Sequence, residues 1–444
     1  MTACIDPRPS PRRAPRAGAR LRACLAALLP VVLAAGSVRA QPPADAPAPA
    51  QVLASALAPA ATAEAVAARD ARLAGDGERT RLVVDLDRAV AFRAFTLGSP
   101  YRVILDLSGV AFRFAPEPDQ MRRGLVSAWR FGALAPGKAR MVLEATGPVA
   151  IDKAFVLEPH DGEPARLVVD LVPTDAATFA RLSASAAERR LAPPPAPAAA
   201  APGDARPVIV LDPGHGGIDS GTTGRSAFAE KAIVLETALA LRDKLEKAGA
   251  YRVVMTRTED VFVPLGERVR IARASRAALF VSLHADALAA GDGQARGASV
   301  YTASETASDA DAASLAEKEN KADLIAGVDL SDESDEVAGI LVDLARRETR
   351  NFSALFARSL VGRMKGAVRT HRTPLRSAGF KVLGAHDVPS VLVELGYMST
   401  PADLKLLTSE AWRDRVTDAI LQAIAEFFEP QLAGTPARAE RQVP

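Results

Sequence analysis

The stretch PVIVLDPGHGG, residues 207–217, decides the architecture of the larger part of this chain. Its aliphatic run, Val208 to Leu211, ends in Asp-Pro and a glycine-rich turn, which reads as a strand buried on both faces. The pattern recurs downstream as YRVVMT (251–256), ALFVSLH (278–284), ASVYT (298–302) and SVLVEL (390–395). Between the first two runs, Ile233, Val234, Ala238, Leu241 and Leu245 fall at helical spacing within 230–248. Strands alternating with helices predict, over residues 207–430, an α/β domain with a mainly parallel twisted sheet flanked by helices. A helix at about 409–428 closes it.

Working upstream, residues 69–175 follow a different rule. RLVVDL (81–86), FRAFTL (92–97) and RVILDL (102–107) recur as RMVLEA (140–145), KAFVLE (153–158) and RLVVDL (166–171). This duplicated three-strand unit predicts a small all-β domain of two packed sheets. Trp129 and Phe131 read as core residues, and no aromatic pair stands out as a sugar platform. Ala/Pro-rich stretches at 41–68 and 176–206 read as linkers, and 431–444 as a tail, so the two domains are expected to fold and act separately.

The chain of 444 residues, 48% hydrophobic and 24% charged, is neither wholly disordered nor a small disulfide scaffold. Residues 1–40 hold seven Arg against one acid, an apolar stretch at 23–36 and small residues before Gln41, the plan of a secretion signal. Removing them takes the formal net charge from +2 to −4, so a nucleic-acid partner has no electrostatic support. Arg12-Arg13 leaves the export route, Sec or Tat, open. Both cysteines, Cys4 and Cys24, lie in this leader, so cysteine chemistry is not expected of the exported chain. No later segment is apolar enough to span a bilayer, and the product is expected outside the cytoplasm.

Three strands deliver ionisable groups at their C-terminal ends: His215 in DPGHGG, His284 in SLHAD and Glu394 in VELG. Glu230 stands where the next helix begins. In open α/β sheets this edge is where ligands gather. Two imidazoles and a carboxylate make a catalytic zinc shell with one position left for water, and a second carboxylate can act as base. From the residues alone, metal-assisted hydrolysis competes with a carbohydrate- or phosphate-binding α/β domain. Arg257 and Arg268 are candidates either for a substrate carboxylate or for structural ion pairs. His386 is read as structural, and His371 as lying in a loop.

VIVLDPGHGGIDSGTTG (208–224), the Glu230 helix, MTRTEDVFVPLGERVRIAR (255–273), FVSLHADA (280–287) and GFKVLGAHDVPSVLVELGYMST (379–400) resemble, in that order, the zinc-dependent N-acetylmuramoyl-L-alanine amidases of bacterial cell division. The resemblance covers 207 to about 428. It implies one zinc ion held by His215, Glu230 and His284, with Glu394 as the catalytic acid/base. Ser220, Thr222 and Thr400 depart from the family's commoner residues. The β domain is similar to the AMIN domain that precedes such amidases, which implies peptidoglycan targeting; a protein-docking module is the alternative. The implied reaction cleaves the amide between N-acetylmuramic acid and L-alanine in the periplasm, at the division septum. A zinc peptidase acting on the peptide stem, or an inactive wall-binding regulator, are the other readings.

An acidic insertion at about 304–348 interrupts the strand–helix rhythm. Its core, ASLAEKENKADLIAGVDL (313–330), has helical spacing with Leu315, Ala322 and Ile325 on one side. By itself this reads as a surface helix on a solvated loop. The resemblance implies instead a helix that blocks the zinc cleft until a LytM-type activator displaces it, with Glu319, or failing that Glu317, on the metal.

Overall fold

The computed structural model describes residues 65–115, 121–160, 162–187, 204–222, 228–287, 296–328 and 340–433. The secretion signal expected at 1–40 lies outside them, and so does the tail expected at 431–444 apart from residues 431–433, which end the last helix.

In the N-terminal domain four hairpins follow one another: β1 (Val66–Gly75) with β2 (Thr80–Leu86), β3 (Phe92–Leu97) with β4 (Arg102–Ser108), β6 (Val126–Ala135) with β7 (Lys138–Ala145), and β8 (Val149–Leu157) with β9 (Ala165–Pro173). A short β5 (Val110–Phe112) adds an edge. Two sheets result, ordered β5-β1-β2-β9-β8 and β3-β4-β7-β6. Each half of the duplication gives one hairpin to each sheet, and the halves join through antiparallel β2–β9 and β4–β7. The alternation of the sequence fixes what faces inward: Leu82 and Val84, Val103 and Leu105, Met141 and Leu143, and Leu167 and Val169 share one core with Trp129.

Two boundaries differ from the sequence reading. The strand β1 begins inside the stretch taken as the first linker, because Val66, Ala68 and Ala71 are buried against β2 and β5. The second linker begins with a helix, α1 (Ala176–Ala187), whose Phe179 enters the β core and meets Tyr101 edge-on at 4.9 Å.

The C-terminal domain is a six-stranded sheet ordered β11-β10-β12-β15-β13-β14. Its strands are β10 (Val208–Pro213), β11 (Arg252–Met255), β12 (Leu279–His284), β13 (Ala298–Ala303), β14 (Thr370–Ala378) and β15 (Ser390–Glu394). All neighbours are parallel except β13 and β15, so the sheet is mixed but mainly parallel. Both faces are covered, which is why the strands read as unbroken apolar runs. Ile209, Leu211, Leu279, Val281, Val391 and Val393 face α2 (Glu230–Ala248), α6 (Ile340–Ala367) and α8 (Glu410–Ala433). Val210, Phe280 and Leu392 face the opposite layer with α3 (Leu265–Ala274) and α4 (Ala310–Glu319). α5 (Ala322–Ile325) follows α4, and α7 (Pro401–Leu407) precedes α8.

The insertion ends earlier than the acidic composition suggested. Helix α6 already starts at Ile340, since it carries Phe356, Leu360 and Met364 onto the sheet. His371 lies in β14, not a loop; the strand is polar because it is a sheet edge. The two domains, expected to fold apart, are packed against each other. Ile104 and Val142, on the outer face of the β3-β4-β7-β6 sheet, are buried in one cluster with Ile218 and Phe262 of the α/β domain. An apolar outer face is stable only when covered, and here the second domain covers it.

Candidate active site

Strands β10, β12 and β15 lie side by side, with Pro213 level with Leu283 and His284 level with Glu394. Their C-terminal ends therefore bring the groups named from sequence to one place. His215 follows β10 in the turn, with a left-handed backbone at φ 59. For a non-glycine residue that conformation is uncommon and needs its surroundings to hold it. Arg268 does so, donating to His215 O at 2.7 Å and Pro213 O at 2.9 Å while pairing with buried Asp212 at 2.7 Å. Arg257 donates to Pro213 O and Gly214 O. Both arginines are thus structural. Gly214 is required by close approach, since a Cβ there would lie 2.5 Å from the His284 ring.

His215, Glu230 and His284 each present one ligating atom, all within 4.8 Å of one another. His215 Nε2 and His284 Nδ1 stand 3.1 and 3.3 Å from Glu230 Oε1. The two buried nitrogens make no hydrogen bond. Buried polar atoms are ordinarily partnered, so convergent orphan imidazole nitrogens beside a carboxylate suit a cation. Outer groups orient this set: Asp219 Oδ2 meets His215 Nδ1 at 2.8 Å, and Glu230 accepts from Ala285 N at 2.8 Å and Thr222 N at 2.9 Å. Burial disfavours charge on the imidazoles, but carboxylates outweigh it. Asp219, Glu230 and Glu319 hold His215 well above its usual value, and Glu319 and Glu230 push His284 up to about 10. A site this anionic attracts a cation in place of those protons.

Glu394 is fully buried beside this cluster. Asp286 N donates to its Oε2 at 3.1 Å, while Oε1 has no hydrogen-bond partner. Burial, reinforced by Glu230 and Glu319, pushes its carboxyl up to about 8.

The insertion reaches the same place. Glu319, at the end of α4, is buried, with Oε2 3.3 Å from His215 Nε2 and 3.2 Å from His284 Nδ1. Glu317 points to solvent and pairs with Lys321 at 2.7 Å. Leu315 and Ala322 are buried as the spacing indicated, but the single helix breaks at Asn320 into α4 and α5, whose side chain bonds Gly379 O and Lys381 N. Sequence reasoning missed Asp219, Asp286 and Lys318. Lys318 pairs with Asp286 and donates to Thr222 Oγ1 at 2.7 Å. The signal for the two aspartates was a carboxylate shortly after each histidine, in GHGGID and HAD; Lys318 had none.

A mainly parallel α/β sheet that gathers two imidazoles and two buried carboxylates at one strand edge is the framework of a metal-assisted hydrolase. Comparison with known proteins makes the class specific. Residues 209–426 match the N-acetylmuramoyl-L-alanine amidase family Amidase_3, and residues 70–171 match the AMIN domain. The chain is 34% identical over 366 residues to the N-acetylmuramoyl-L-alanine amidase AmiC of Escherichia coli O6:H1, covering 79% of this chain and 86% of that one. It is also 34% identical over 372 residues to AmiC of Neisseria meningitidis serogroup B, covering 79% and 87%. Among solved structures, amidase AmiC2 of Nostoc punctiforme aligns at 25% identity over 51% of this chain and 99% of that chain, with a TM-score of 0.35. The chain belongs to the N-acetylmuramoyl-L-alanine amidase family. It is an amidase with peptidoglycan as substrate, and its β domain is an AMIN domain.

Proposed function

We propose that the chain is an exported, zinc-dependent amidase that cuts septal peptidoglycan at division and is held silent by its own insertion. The observation that carries this reading is the Glu319 carboxylate seated between the two orphan imidazole nitrogens. His215, Glu230 and His284 would hold one zinc ion, with Glu394 as acid/base. When bound, the ion supplies Lewis-acid polarisation of the amide carbonyl and acidifies a water.

The chain's own residues do the rest. Glu394 takes the water's proton through its free Oε1 as oxygen adds to the lactyl carbonyl. The same carboxyl returns the proton to the nitrogen of L-alanine as the C–N bond breaks. A carboxylate ends on the sugar and a free amine on the stem peptide. Asp286 N keeps Glu394 in place during both transfers. The similarity to AmiC proteins supports a periplasmic site of action, the AMIN match supports peptidoglycan targeting, and the occupied cleft supports a LytM-type activator. Among the described residues no helix is long and apolar enough to cross a membrane.

Two measurements test this reading. Protein stripped by chelator and dialysed against zinc should regain one equivalent per chain, by elemental analysis, together with its activity; recovery of activity without metal would overturn the assignment. The second is pH dependence. A base must be deprotonated, so kcat/KM rises with pH through the Glu394 pKa. Burial, with Glu230 and Glu319 nearby, raises the Glu394 carboxyl, so this acid limb should lie above the ordinary carboxylate range. Glu319→Ala removes one like charge, and its acid limb should lie below that of the intact enzyme; a limb that stays or moves up contradicts the arrangement.

A further inference from the structure

The insertion is held from two sides. On one, Asp323 Oδ1 accepts from Leu265 N of the α/β domain at 2.9 Å. On the other, the chain leaving α5 presses on the outer face of the β3-β4-β7-β6 sheet. Arg102 Nη1 donates to Leu324 O at 2.6 Å, and Arg140 Nη1 donates to Ala326 O and Gly327 O, both at 3.1 Å. Arg102 is only 2% exposed, and Arg140 is steadied by Asp106 at 2.6 Å. Ala326 is fully buried with Leu97, Ile104, Val142, Ile218 and Phe262. Gly327 has φ +67, which a side chain adopts only with strain, and a Cβ there would stand 2.5 Å from Ile104 Cδ1 and push that side chain aside. Glu319 sits three residues before α5, close enough that moving α4 out of the cleft strains or breaks this clamp.

We propose that the AMIN domain is a second latch on the insertion: the outer face of its β3-β4-β7-β6 sheet docks residues 322–328 and biases Glu319 toward the cleft. The proposal rests on the reading of Glu319 as inhibitory. Contacts made only in the closed arrangement shift the equilibrium toward it, and losing them shifts it back. Attachment of the AMIN domain is then coupled to activity rather than being a tether alone.

Ile104 and Val142 point away from the AMIN domain's own core, which Val103, Leu105, Met141 and Leu143 supply, so Ile104→Lys with Val142→Lys should undock the domain without unfolding it. The full chain carrying both changes should show, without activator, at least about fivefold higher hydrolysis of labelled sacculi, the lower end of ordinary coupling energies. Amides of 321–328 should exchange hydrogen faster. Gly327→Ala, which attacks the same contact from the insertion, should act in the same direction and serves if the double variant does not fold. Glu319→Ala is measured alongside. If it raises activity while the latch variants leave both hydrolysis and exchange unchanged, the latch is wrong and autoinhibition stands. If Glu319→Ala leaves activity unchanged, autoinhibition is wrong, and exchange alone decides whether the sheet holds the segment: faster exchange supports the docking, unchanged exchange refutes it.

Discussion

Alanine at His215, Glu230 or His284 should strip the metal and bring hydrolysis to background. Three protein ligands leave no redundancy, and loss of any one leaves buried neighbours unpaired. The Glu230 variant should also lose stability, because its carboxylate accepts from Ala285 N and Thr222 N and holds the first turn of α2 under the sheet edge. Glu394→Gln should separate the two roles. It should keep near-stoichiometric zinc and fold normally while losing about 100-fold or more in kcat, the scale of a missing acid/base. Elemental analysis and turnover on the same preparations check this. Metal loss in Glu394→Gln would show that Glu394 is a ligand.

Glu319→Ala should act in the opposite sense. With its carboxylate gone from between His215 and His284, purified enzyme should hydrolyse sacculi at least about 10-fold faster without activator, within the range of ordinary coupling energies. Glu317→Ala is the control, since that side chain is exposed on Lys321 and should leave the basal rate unchanged. Equal basal rates for Glu319→Ala and the intact enzyme, with zinc bound in both, would remove the insertion from regulation.

The α/β domain was legible because its central strands are buried on both faces, which writes them as apolar runs, and because each site-bearing run ends in the residue it delivers. The edges were not. β14, THRTPLRSA, is a polar edge strand with an internal Pro374, and β1, VAARDARLAG, buries alanines, so neither stands out against a loop. The Ala-rich stretch after 175 hid α1, whose only large buried residue is Phe179. The docking of the domains left no mark either: Ile104 and Val142 look like ordinary strand residues, and Arg102 and Arg140 like solvated strand starts. Only the fold reveals that these four share one outer face. The site's four named groups were readable from position, whereas Asp219 and Asp286 needed coordinates to show what they orient.

The proposed reaction is metal-dependent cleavage of the bond between the lactyl group and L-alanine. It is tested most directly by digesting purified sacculi with the Glu319→Ala enzyme, with and without chelator, and weighing the products by mass spectrometry. The expected products are intact stem peptides with a free L-alanine amino group and peptide-free glycan strands, and neither should form once the metal is removed. Stems cut internally and still attached to muramic acid, or release that persists in chelator, would contradict it.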